Sequence, residues 1–405
     1  MPTNSENAPE IVVGLDLGTT KVSAVVGEVD GDGITVLGVG NVPCRGLRKG
    51  VVSNIEWTVR AIREAVSAAQ AMAGVEITTV YVGVGGSHVR GQVSDGVAAV
   101  AGREVTQADL ERVLEGARAI PVDADRMILH ALPREYIVDN LVTAATSCVQ
   151  NAIRCVERAQ LEVADVVLGS LASAEAVLSE DEKEIGGGVI DMGGGTTDLL
   201  LYADGGIAHA STIPAGGNNV TNDVAAGLRT PVAEADRLKR NYGCALGRMI
   251  ADEEEIEVPG VGGHEPRKVP RRVLGDIVEP RIEELFSEVR RRMEESGLID
   301  QLSAGMVLTG GAVQMEGIVA AAEEILGMPV RLGVPVGVKG IVQLIQGPQW
   351  ATGVGLVHYG AQRLAEARHY SAEEAPAAAR SEEAARAKSN GSLGRGVLGW
   401  LRAAF

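Results

Sequence analysis

Aromatic residues and cysteines are scarce in this sequence, and both shortages limit what kind of protein it can be. Phenylalanine, tryptophan and tyrosine together make up 3% of the 405 residues, whereas hydrophobic residues make up 45%. A buried core must therefore be built from valine, isoleucine, leucine and alanine. The four cysteines, at positions 44, 148, 155 and 244, form no CxxC pair and no zinc-type spacing. This pattern argues against a zinc module and favours a reducing, intracellular compartment.

The sequence also lacks an excess of positive charge and long apolar runs. The formal net charge of −17 argues against a nucleic-acid partner, because phosphates attract basic surfaces. No apolar run reaches the ~20 residues that a membrane-spanning helix needs, and the polar residues 1–10 show no signal-sequence pattern. By contrast, the 52 glycines and many β-branched runs favour an α/β architecture, in about two to four structural units for this length.

One short pattern occurs twice, far apart in the chain. Residues 13–21 (VGLDLGTTK) are echoed by residues 189–198 (VIDMGGGTTD). Each copy is an apolar strand that ends in aspartate, followed by a Gly/Thr turn and a second apolar strand. Because the separation is much too long for a solenoid repeat, the pattern predicts two related halves that face one another.

The two turns have the chemistry of a phosphate site. Glycine lets the backbone approach a phosphate closely, threonine hydroxyls and backbone N–H groups donate hydrogen bonds, and Lys21 adds positive charge. Asp16 and Asp191 suit a Mg²⁺ ion bound through water. A glycine hairpin alone is often only a hairpin, but two copies with matched aspartates favour a site for a metal–nucleotide. The predicted residues are Asp16, Gly18, Thr19, Thr20 and Lys21 in the first hairpin, and Asp191, Gly193, Gly194, Gly195, Thr196, Thr197 and Asp198 in the second.

Two further glycine turns are candidates for the same site. Gly310 and Gly311 follow a buried strand and precede a helix, where small residues leave room for a base or ribose. Gly216, Gly217 and Asn218 form a similar turn. Each turn alone is weak evidence, because many strand–helix connections contain glycine, and neither is a Walker A loop.

Several stretches carry a family resemblance. The two hairpins and the Gly310–Gly311 turn resemble the actin/Hsp70/sugar-kinase ATPase superfamily. Residues 14–28, 130–139 (HALPREYIVD), 242–247 (YGCALG) and 308–312 resemble, more specifically, the FtsA family of bacterial cell-division proteins. Together with the C-terminal segment they cover nearly the whole chain. The stretches 130–139 and 242–247 are the most discriminating, because the hairpins alone identify only the superfamily.

The resemblance implies an α/β, actin-like, two-lobed ATPase fold with duplicated ribonuclease-H-like subdomains, and ATP with Mg²⁺ between the lobes. It puts Asp236 and Lys239 at the adenosine, although the two would also suit an ordinary surface pair on a helix. The implied organisation is a disordered N-terminus (1–10), a first-lobe core (11–83), an inserted and apparently shortened small subdomain (84–168), a second-lobe core (169–224), a variable subdomain (225–305), a second-lobe core with a return helix (306–369), a flexible linker (370–391) and a membrane-targeting amphipathic helix (392–405).

Two features depart from the family pattern. Relatives in the superfamily carry a Gln or Glu just before the connecting helix to orient the attacking water, and matching that helix to residues 172–177 puts the apolar Leu171 there. We therefore expect weak or no ATPase activity and no catalytic residue. In the insert, family members usually carry a further loop and strand between the stretch that matches residues 136–139 and the one that matches residues 142–143. Here Asn140 is followed almost at once by residues 141–144, so a strand near Asn140 is expected to be missing. Residues 142–160 are interpreted as a helix.

The C-terminal segment has the pattern of an interfacial helix. Its apolar residues fall on one side of a helical projection and two arginines on the other, as expected for a helix that lies in the headgroup region of an anionic membrane surface. The alternatives are a frayed tail or a helix that docks in a protein groove. The predicted membrane residues are Leu393, Val397, Trp400, Leu401 and Phe405, with Arg395 and Arg402 on the opposite side.

The resemblance implies a peripheral protein at the cytoplasmic face of the cell membrane, at the division site. Such a protein binds ATP, polymerises with itself into filaments, tethers the tubulin-like FtsZ ring and helps recruit late division membrane proteins. The family docks the C-terminal peptide of FtsZ on the variable subdomain, where Arg271, Arg272 and Arg291 are candidate contacts. Two alternatives stay open: a phosphotransferase or chaperone-like ATPase of the same superfamily, and an actin-like assembly protein of a pilus or secretion system.

Overall fold

The computed structural model describes residues 9–31, 33–94, 112–113, 115–116, 118–119, 122–135 and 138–374. The chain divides into two units, Met1–Gly360 and Ala361–Phe405, and the sheets and the site described below belong to the first. The strands are β1 (Glu10–Leu17), β2 (Lys21–Asp30), β3 (Gly33–Pro43), β4 (Leu47–Arg48), β5 (Val51–Val52), β6 (Thr79–Val84), β7 (Arg90–Ser94), β8 (Arg126–Glu135), β9 (Val138–Ala145), β10 (Glu162–Leu168), β11 (Gly187–Met192), β12 (Thr197–Ala203), β13 (Gly206–Ile213), β14 (Glu255–Val258), β15 (Arg267–Pro270), β16 (Gly305–Thr309), β17 (Val330–Leu332) and β18 (Val338–Gly340). The α-helices are α1 (Ile55–Ala73), α2 (Thr146–Arg158), α3 (Gly169–Val177), α4 (Glu180–Ile185), α5 (Gly217–Leu228), α6 (Val232–Tyr242), α7 (Arg271–Ser296), α8 (Ile318–Leu326) and α9 (Ala351–Glu374).

Two sheets repeat one topology. The first has the strand order β10-β6-β1-β2-β3-β18 and the second the order β13-β12-β11-β16-β17. In each sheet three successive antiparallel strands are extended by two strands that run parallel to the first of the three, namely β6 and β10 beside β1, and β16 and β17 beside β11. The predicted duplication is thereby confirmed. We call the part built on the first sheet the first lobe and the part built on the second sheet the second lobe.

The duplication brings equivalent turns to the same edge of each sheet. Asp16 lies opposite Ser23 in the β1–β2 hairpin, and Asp191 lies opposite Asp198 in the β11–β12 hairpin. On its other side, Asp16 pairs with Gly83 of β6, and Asp191 pairs with Thr309 of β16. Because β6 and β16 end within one or two residues of these positions, each lobe presents one aspartate hairpin beside one strand end.

Helix α1 packs on the first sheet and shows how a core with few aromatics is filled. The helix begins after Asn54, whose side chain accepts a hydrogen bond from the Trp57 N–H at 3.0 Å. Its buried face presents small and branched residues, among them Ile62 and Ala65. A Cβ built on Gly40 of β3 would lie 1.9 Å from the Ala65 carbonyl oxygen, so glycine is required for this strand and helix to touch backbone to backbone.

The second lobe buries its largest side chain between helices. Phe286 of α7 is 1% exposed and belongs to a cluster that joins α5, α6, α7 and α8 to strands β11 and β12. The short strands β14 and β15 form a two-stranded sheet that precedes α7. This part of the chain is the predicted variable subdomain, 225–305.

The insert differs from the expectation near Asn140. Residues 142–145 are not helical but complete β9, the middle strand of a sheet with the order β7-β9-β8, and helix α2 begins only at Thr146. Leu141 and Val142 are fully buried, and a short apolar run buried on both sides cannot be told from a buried helix by its periodicity. No break between a strand and a helix therefore occurs at Asn140.

Strand β10, which the predicted boundaries assign to the insert, pairs with β6 in the first sheet, where Glu162 lies opposite Thr79 and Leu168 opposite Val84. By hydrogen bonding it thus belongs to the first-lobe core. Most of residues 1–10, most of the linker and the whole predicted membrane helix, 392–405, lie outside the described residues. Within the part of the chain that the structure describes, no helix has the length and apolar character to cross a bilayer.

Candidate functional site

A cavity of about 650 Å³ lies between the two lobes where the hairpins face each other. Its volume lies within the ~300–1,000 Å³ of small-molecule and cofactor sites. Most of the predicted nucleotide-binding residues line it: Asp16, Gly18, Thr19, Thr20, Lys21, Asp191, Gly193, Gly194, Thr196, Asp198, Gly217, Asn218, Asp236, Lys239, Gly310 and Gly311. The fold thus gathers residues from four separate turns and one helix around a single space.

Three predicted residues do not line this cavity and instead shape its turns. Thr197 is 1% exposed and donates a hydrogen bond to the Ala215 carbonyl at 2.9 Å. A Cβ on Gly195 would lie 2.7 Å from Thr19 Oγ1, and one on Gly216 would lie 2.5 Å from the Gly193 carbonyl oxygen. Thr197 thus fixes its turn by a hydrogen bond, and the two glycines allow close packing against a side chain and a backbone carbonyl.

The tips of the two hairpins touch. A Cβ on Gly194 would lie 2.3 Å from the methyl group of Thr20. Thr19 Oγ1 accepts a hydrogen bond from the Gly50 N–H at 3.0 Å, which ties the first hairpin to the loop after β4. Because Gly194 has no side chain, the second hairpin can approach Thr20 this closely, and both hairpins can present backbone N–H groups to the same ligand.

Lys21 stands on the cavity wall of the first lobe and is paired with Asp16. Its Nζ atom donates to Asp16 Oδ2 at 3.1 Å and to Ser23 Oγ at 2.9 Å, and it lies 5.6 Å from the centre of the Trp350 ring. The positive charge that was predicted to meet a phosphate is therefore present at the cavity. In this structure it neutralises the first aspartate.

Burial raises the pKa of both aspartates of the second hairpin. Burial raises the pKa of Asp191, the neighbouring Asp16 charge raises it further, and the hydrogen bond from Ser173 at 2.6 Å opposes the rise. Burial raises the pKa of Asp198 to about 7, despite a hydrogen bond from Thr212 at 2.5 Å. Carboxyl groups in this condition are favourable neighbours for a bound cation, which restores their charged form.

Asp16 and Asp191, the two side chains predicted to suit Mg²⁺, both line the cavity. Among the described residues, no group of three or more His, Cys, Asp or Glu side chains is arranged to hold a metal ion. Mg²⁺ does not need such a group when phosphates and water supply most of its ligands, because one or two carboxylates then suffice. The donor set therefore fits a nucleotide-bound Mg²⁺ and does not fit a metal held by protein alone.

Asp236 and Lys239 form an ion pair at 2.9 Å that faces the cavity. The Lys239 side chain is 12% exposed, and its Nζ atom also donates to the Gly217 carbonyl at 3.0 Å and to Thr221 Oγ1 at 2.7 Å. Burial lowers the pKa of Lys239, and the Asp236 charge works in the opposite direction. The pair therefore connects α6 to the start of α5, which an exposed surface pair would not do.

The turns at Gly217–Asn218 and at Gly310 are fixed by contacts with the second hairpin. The Gly217 and Asn218 N–H groups at the start of α5 donate to the carbonyls of Gly193 and Gly194 at 3.0 and 2.7 Å, so these two groups are used by the second hairpin. Gly310 has a φ of +96°, and a Cβ there would lie 2.4 Å from Asp191 Oδ1. Glycine is required at position 310 for both reasons.

The sequence analysis missed several residues that line the cavity. The strand end after β6 repeats, in the first lobe, the glycine turn that follows β16 in the second, and this signal was available as Gly83-Val84-Gly85 after an apolar run. Three of the others, Leu17, Arg240 and Ala312, are direct chain neighbours of predicted residues. The rest belong to no motif: Asn41, Pro43, Gly50, Gly169, Gln314, Met315, Gln349 and Thr352.

The helix that connects the lobes starts earlier than expected. Helix α3 begins at Gly169, so Leu171 lies in its first turn, 6% exposed and absent from the cavity lining. The residue of this helix start that reaches the cavity is Gly169. Neither residue has a side chain that can hydrogen-bond a water molecule, and the expected weak hydrolysis stays a prediction.

The three arginines proposed to meet a partner peptide all have internal carboxylate partners. Arg271 is 13% exposed at its side chain and pairs with Glu254 at 2.6 Å and with Glu316. Arg272 is 54% exposed and pairs with Asp252 at 3.3 Å, and Arg291 is 49% exposed and pairs with Glu288 and Glu295. Arg272 and Arg291 are therefore accessible, whereas Arg271 serves to join neighbouring segments.

Comparison with known families matches two parts of the chain. The sequence model described as "Cell division protein FtsA" matches residues 188–355, and the one described as "SHS2 domain inserted in FTSA" matches residues 86–144. The second match ends at β9, before α2 and β10. Cell division protein FtsA of Pseudomonas aeruginosa is 46% identical over 380 residues, covering 89% of this chain and 91% of its own length. Its counterpart in Escherichia coli K12 is 38% identical over 379 residues, covering 87% and 90%.

Solved structures resemble the fold at low sequence identity. A chain of the PilM–PilN type IV pilus biogenesis complex has a TM-score of 0.64 at 19% identity, covering 86% of this chain and 98% of that one. MreB5 of Spiroplasma citri, solved with bound ADP, has a TM-score of 0.53 at 14% identity, covering 90% and 99%. These similarities confirm the predicted actin-like fold.

Proposed function

The chain belongs to the FtsA family of cell-division proteins, and from this premise we propose that it binds ATP with Mg²⁺ between its lobes and links a cytoskeletal filament to the membrane at the division site. The observation that carries the nucleotide part is the meeting of two glycine hairpins and two aspartates at one cavity of about 650 Å³. A single hairpin would carry no such weight, whereas a matched pair from duplicated lobes is suited to a ligand with several phosphates.

The residues that line the cavity suit different parts of the nucleotide. The hairpin tips, with Lys21 and the N–H groups of residues 18–20 and 194–196, suit the phosphates. Asp16 and Asp191 suit the Mg²⁺ ion, which when bound neutralises phosphate charge. Asp236, Lys239, Gly310 and Gly311 line the same cavity and suit the adenosine. The ADP seen in a protein of similar fold supports this assignment.

We propose that the nucleotide is mainly a structural ligand. Gly169 and Leu171 at the start of α3 offer no hydrogen bond to an attacking water, and positioning that water is what separates fast from slow nucleotide hydrolases. Nucleotide bound by both hairpins would draw the lobes together. The resulting lobe arrangement would then be the form that polymerises with itself.

Membrane attachment is proposed for residues 392–405, on the basis of their sequence. Leu393, Val397, Trp400, Leu401 and Phe405 would lie in the acyl boundary, with Arg395 and Arg402 towards anionic headgroups. One such helix binds weakly, but a filament that carries many of them attaches firmly through avidity. The variable subdomain would meet the FtsZ C-terminal peptide, with Arg272 and Arg291 released from their carboxylate partners to pair with it. Recruitment of late division membrane proteins is part of the same proposal.

Two measurements test the proposal. Isothermal titration calorimetry of the full chain with Mg-ATP should detect binding, and no heat of binding would overturn the nucleotide part. Co-sedimentation with vesicles of phosphatidylglycerol and phosphatidylethanolamine should retain the full chain and lose a chain that ends at Asn390. Equal sedimentation of both chains would favour the alternative, a superfamily phosphotransferase or chaperone-like ATPase, which has no use for the C-terminal segment.

A further inference from the structure

Three side chains meet at the back of the cavity, each from a different part of the fold. Ser173 Oγ donates to Asp191 Oδ2 at 2.6 Å, and Thr352 Oγ1 donates to the same oxygen at 3.3 Å. The two hydroxyl oxygens lie 3.0 Å apart. Ser173 belongs to α3, Thr352 to the first turn of α9, and Asp191 to β11. One carboxylate oxygen thus accepts two hydrogen bonds from two separate helices.

The two helices link the two lobes. Helix α3 follows β10 of the first sheet and leads to β11 of the second, so it connects the lobes. The start of α9 packs against the first sheet, where a Cβ on Gly14 of β1 would lie 2.5 Å from the Gly353 carbonyl oxygen. The hydrogen bond from Thr352 to Asp191 therefore runs directly from the first lobe to the second.

The helices cross with no space between them. A Cβ on Gly355 of α9 would lie 1.6 Å from the Ala172 carbonyl oxygen of α3. A contact this close between backbones leaves little freedom to slide, so a change in the angle between the lobes has to turn about this point. Ser173 follows Ala172 directly, and Thr352 lies one helical turn before Gly355. The hydroxyl pair is therefore next to the pivot.

We propose that Ser173, Asp191 and Thr352 form an interlobe clasp that sets the angle between the lobes and orients the Asp191 carboxylate toward the bound metal–nucleotide. This inference rests on the proposed function for its ligand, but its geometry does not depend on that ligand. Ser173 and Thr352 are positioning residues, because they act through Asp191. With Oδ2 committed to the clasp, Oδ1 stays beside Gly310 at the cavity floor. Occupancy of the cavity and the lobe angle are then coupled through one side chain.

The test removes the hydroxyl that joins the lobes while keeping the volume of the side chain. Thr352→Val deletes this donor, Thr352→Ser restores it, and Thr230→Val is the matched control. Thr230 is also buried and donates to the Pro259 carbonyl at 2.8 Å, away from the cavity. Fluorophores on unnatural amino acids at the exposed Ala68 of the first lobe and Asp300 of the second report the distance between the lobes. The same full-length proteins are titrated with Mg-ATP.

We expect Thr352→Val to broaden the interlobe distance distribution without nucleotide, to reduce the shift that Mg-ATP causes, and to weaken nucleotide binding about fivefold, as for a lost hydrogen bond. Thr352→Ser should behave like the unaltered chain, and Thr230→Val should change neither distance nor affinity. An unchanged distance distribution in Thr352→Val, with normal folding by circular dichroism, would overturn the clasp. If the unaltered chain binds no nucleotide, the proposed function fails, but the distance measurement without ligand still decides whether the clasp exists.

Discussion

The crossing of α3 and α9 predicts that Gly355→Ala is strongly destabilising. The added methyl group would begin 1.6 Å from a backbone carbonyl oxygen, and real contacts of this kind stay beyond about 3.0 Å. The helices must therefore separate by roughly 1.4 Å, which opens the packing on both sides of the crossing. Overpacking costs about 1–3 kcal/mol where side chains can give way. Because the obstacle here is backbone, we expect a value near the top of that range, after the ~1 kcal/mol that alanine gains over glycine within a helix.

The assay is urea unfolding followed by circular dichroism, with Gly227→Ala as the control. Gly227 also lies within a helix, but the nearest atom to its added Cβ is Cδ1 of Ile277, at the flexible end of a side chain, at 2.7 Å. Gly227→Ala should therefore change the free energy of unfolding by less than about 1 kcal/mol in either direction. Gly355→Ala should lose about 3 kcal/mol, a large share of the ~5–15 kcal/mol that stabilises a typical domain. Equal stability of the two variants would refute the reasoning about this crossing.

Three further predictions concern the ion pairs and the metal. Lys239→Met should weaken Mg-ATP binding at least about tenfold and lower stability by about 1–3 kcal/mol, because it removes the ion pair with Asp236 and two hydrogen bonds from α6 to the start of α5; calorimetry that finds unchanged affinity would separate this pair from the site. Chelation of Mg²⁺ by EDTA should reduce ATP affinity at least about tenfold, because the cation that neutralises the phosphate charge beside Asp16 and Asp191 is then missing; equal affinity with and without EDTA would remove the metal from the proposal. Arg331→Gln should cost about 1 kcal/mol at pH 7, because the bidentate hydrogen bond from Arg331 lowers the pKa of Glu182. A carboxyl with a lowered pKa in the folded state stabilises fully above its ordinary value of about 4.3 and loses this effect as the pH falls through the folded value. The difference in urea midpoint between Arg331→Gln and the unaltered chain should therefore shrink at pH 4 and below. Arg60→Gln is the control: because Arg60 and Glu64 form an exposed pair, this variant should differ little from the unaltered chain at either pH.

Local pattern predicted the hairpins well because the hairpin is a local structure. The strand, aspartate, glycine turn and second strand of residues 13–21 are contiguous, and so are those of residues 189–198, so their register follows from the turn itself. The same holds for Gly310 and Gly311 at the end of β16. In each case the residues that face the cavity are within a few positions of the glycine that identifies them.

Local pattern failed where burial on both sides hides the period. Residues 142–145 were interpreted as the start of a helix over 142–160, but they lie in β9, the central strand of the insert, which pairs with β7 on one edge and β8 on the other. A short buried run does not by itself show which period it follows. Strand β10 was counted with the insert because it follows it in the chain. Its pairing with β6 depends on a segment about 80 residues earlier, which no short window contains.

Chain chemistry alone thus established a duplicated α/β protein with two phosphate-type hairpins, because repeated residues within short segments encode the same turn twice. Long-range contact established the rest. Thr352, Gln349 and Gly169 reach the cavity only because the sheets and the α3–α9 crossing bring together segments far apart in the chain. A single hydroxyl or glycine in a sequence does not reveal its role, because the role depends on which group the fold packs against it. For the Thr352 hydroxyl, that group is the Asp191 carboxylate.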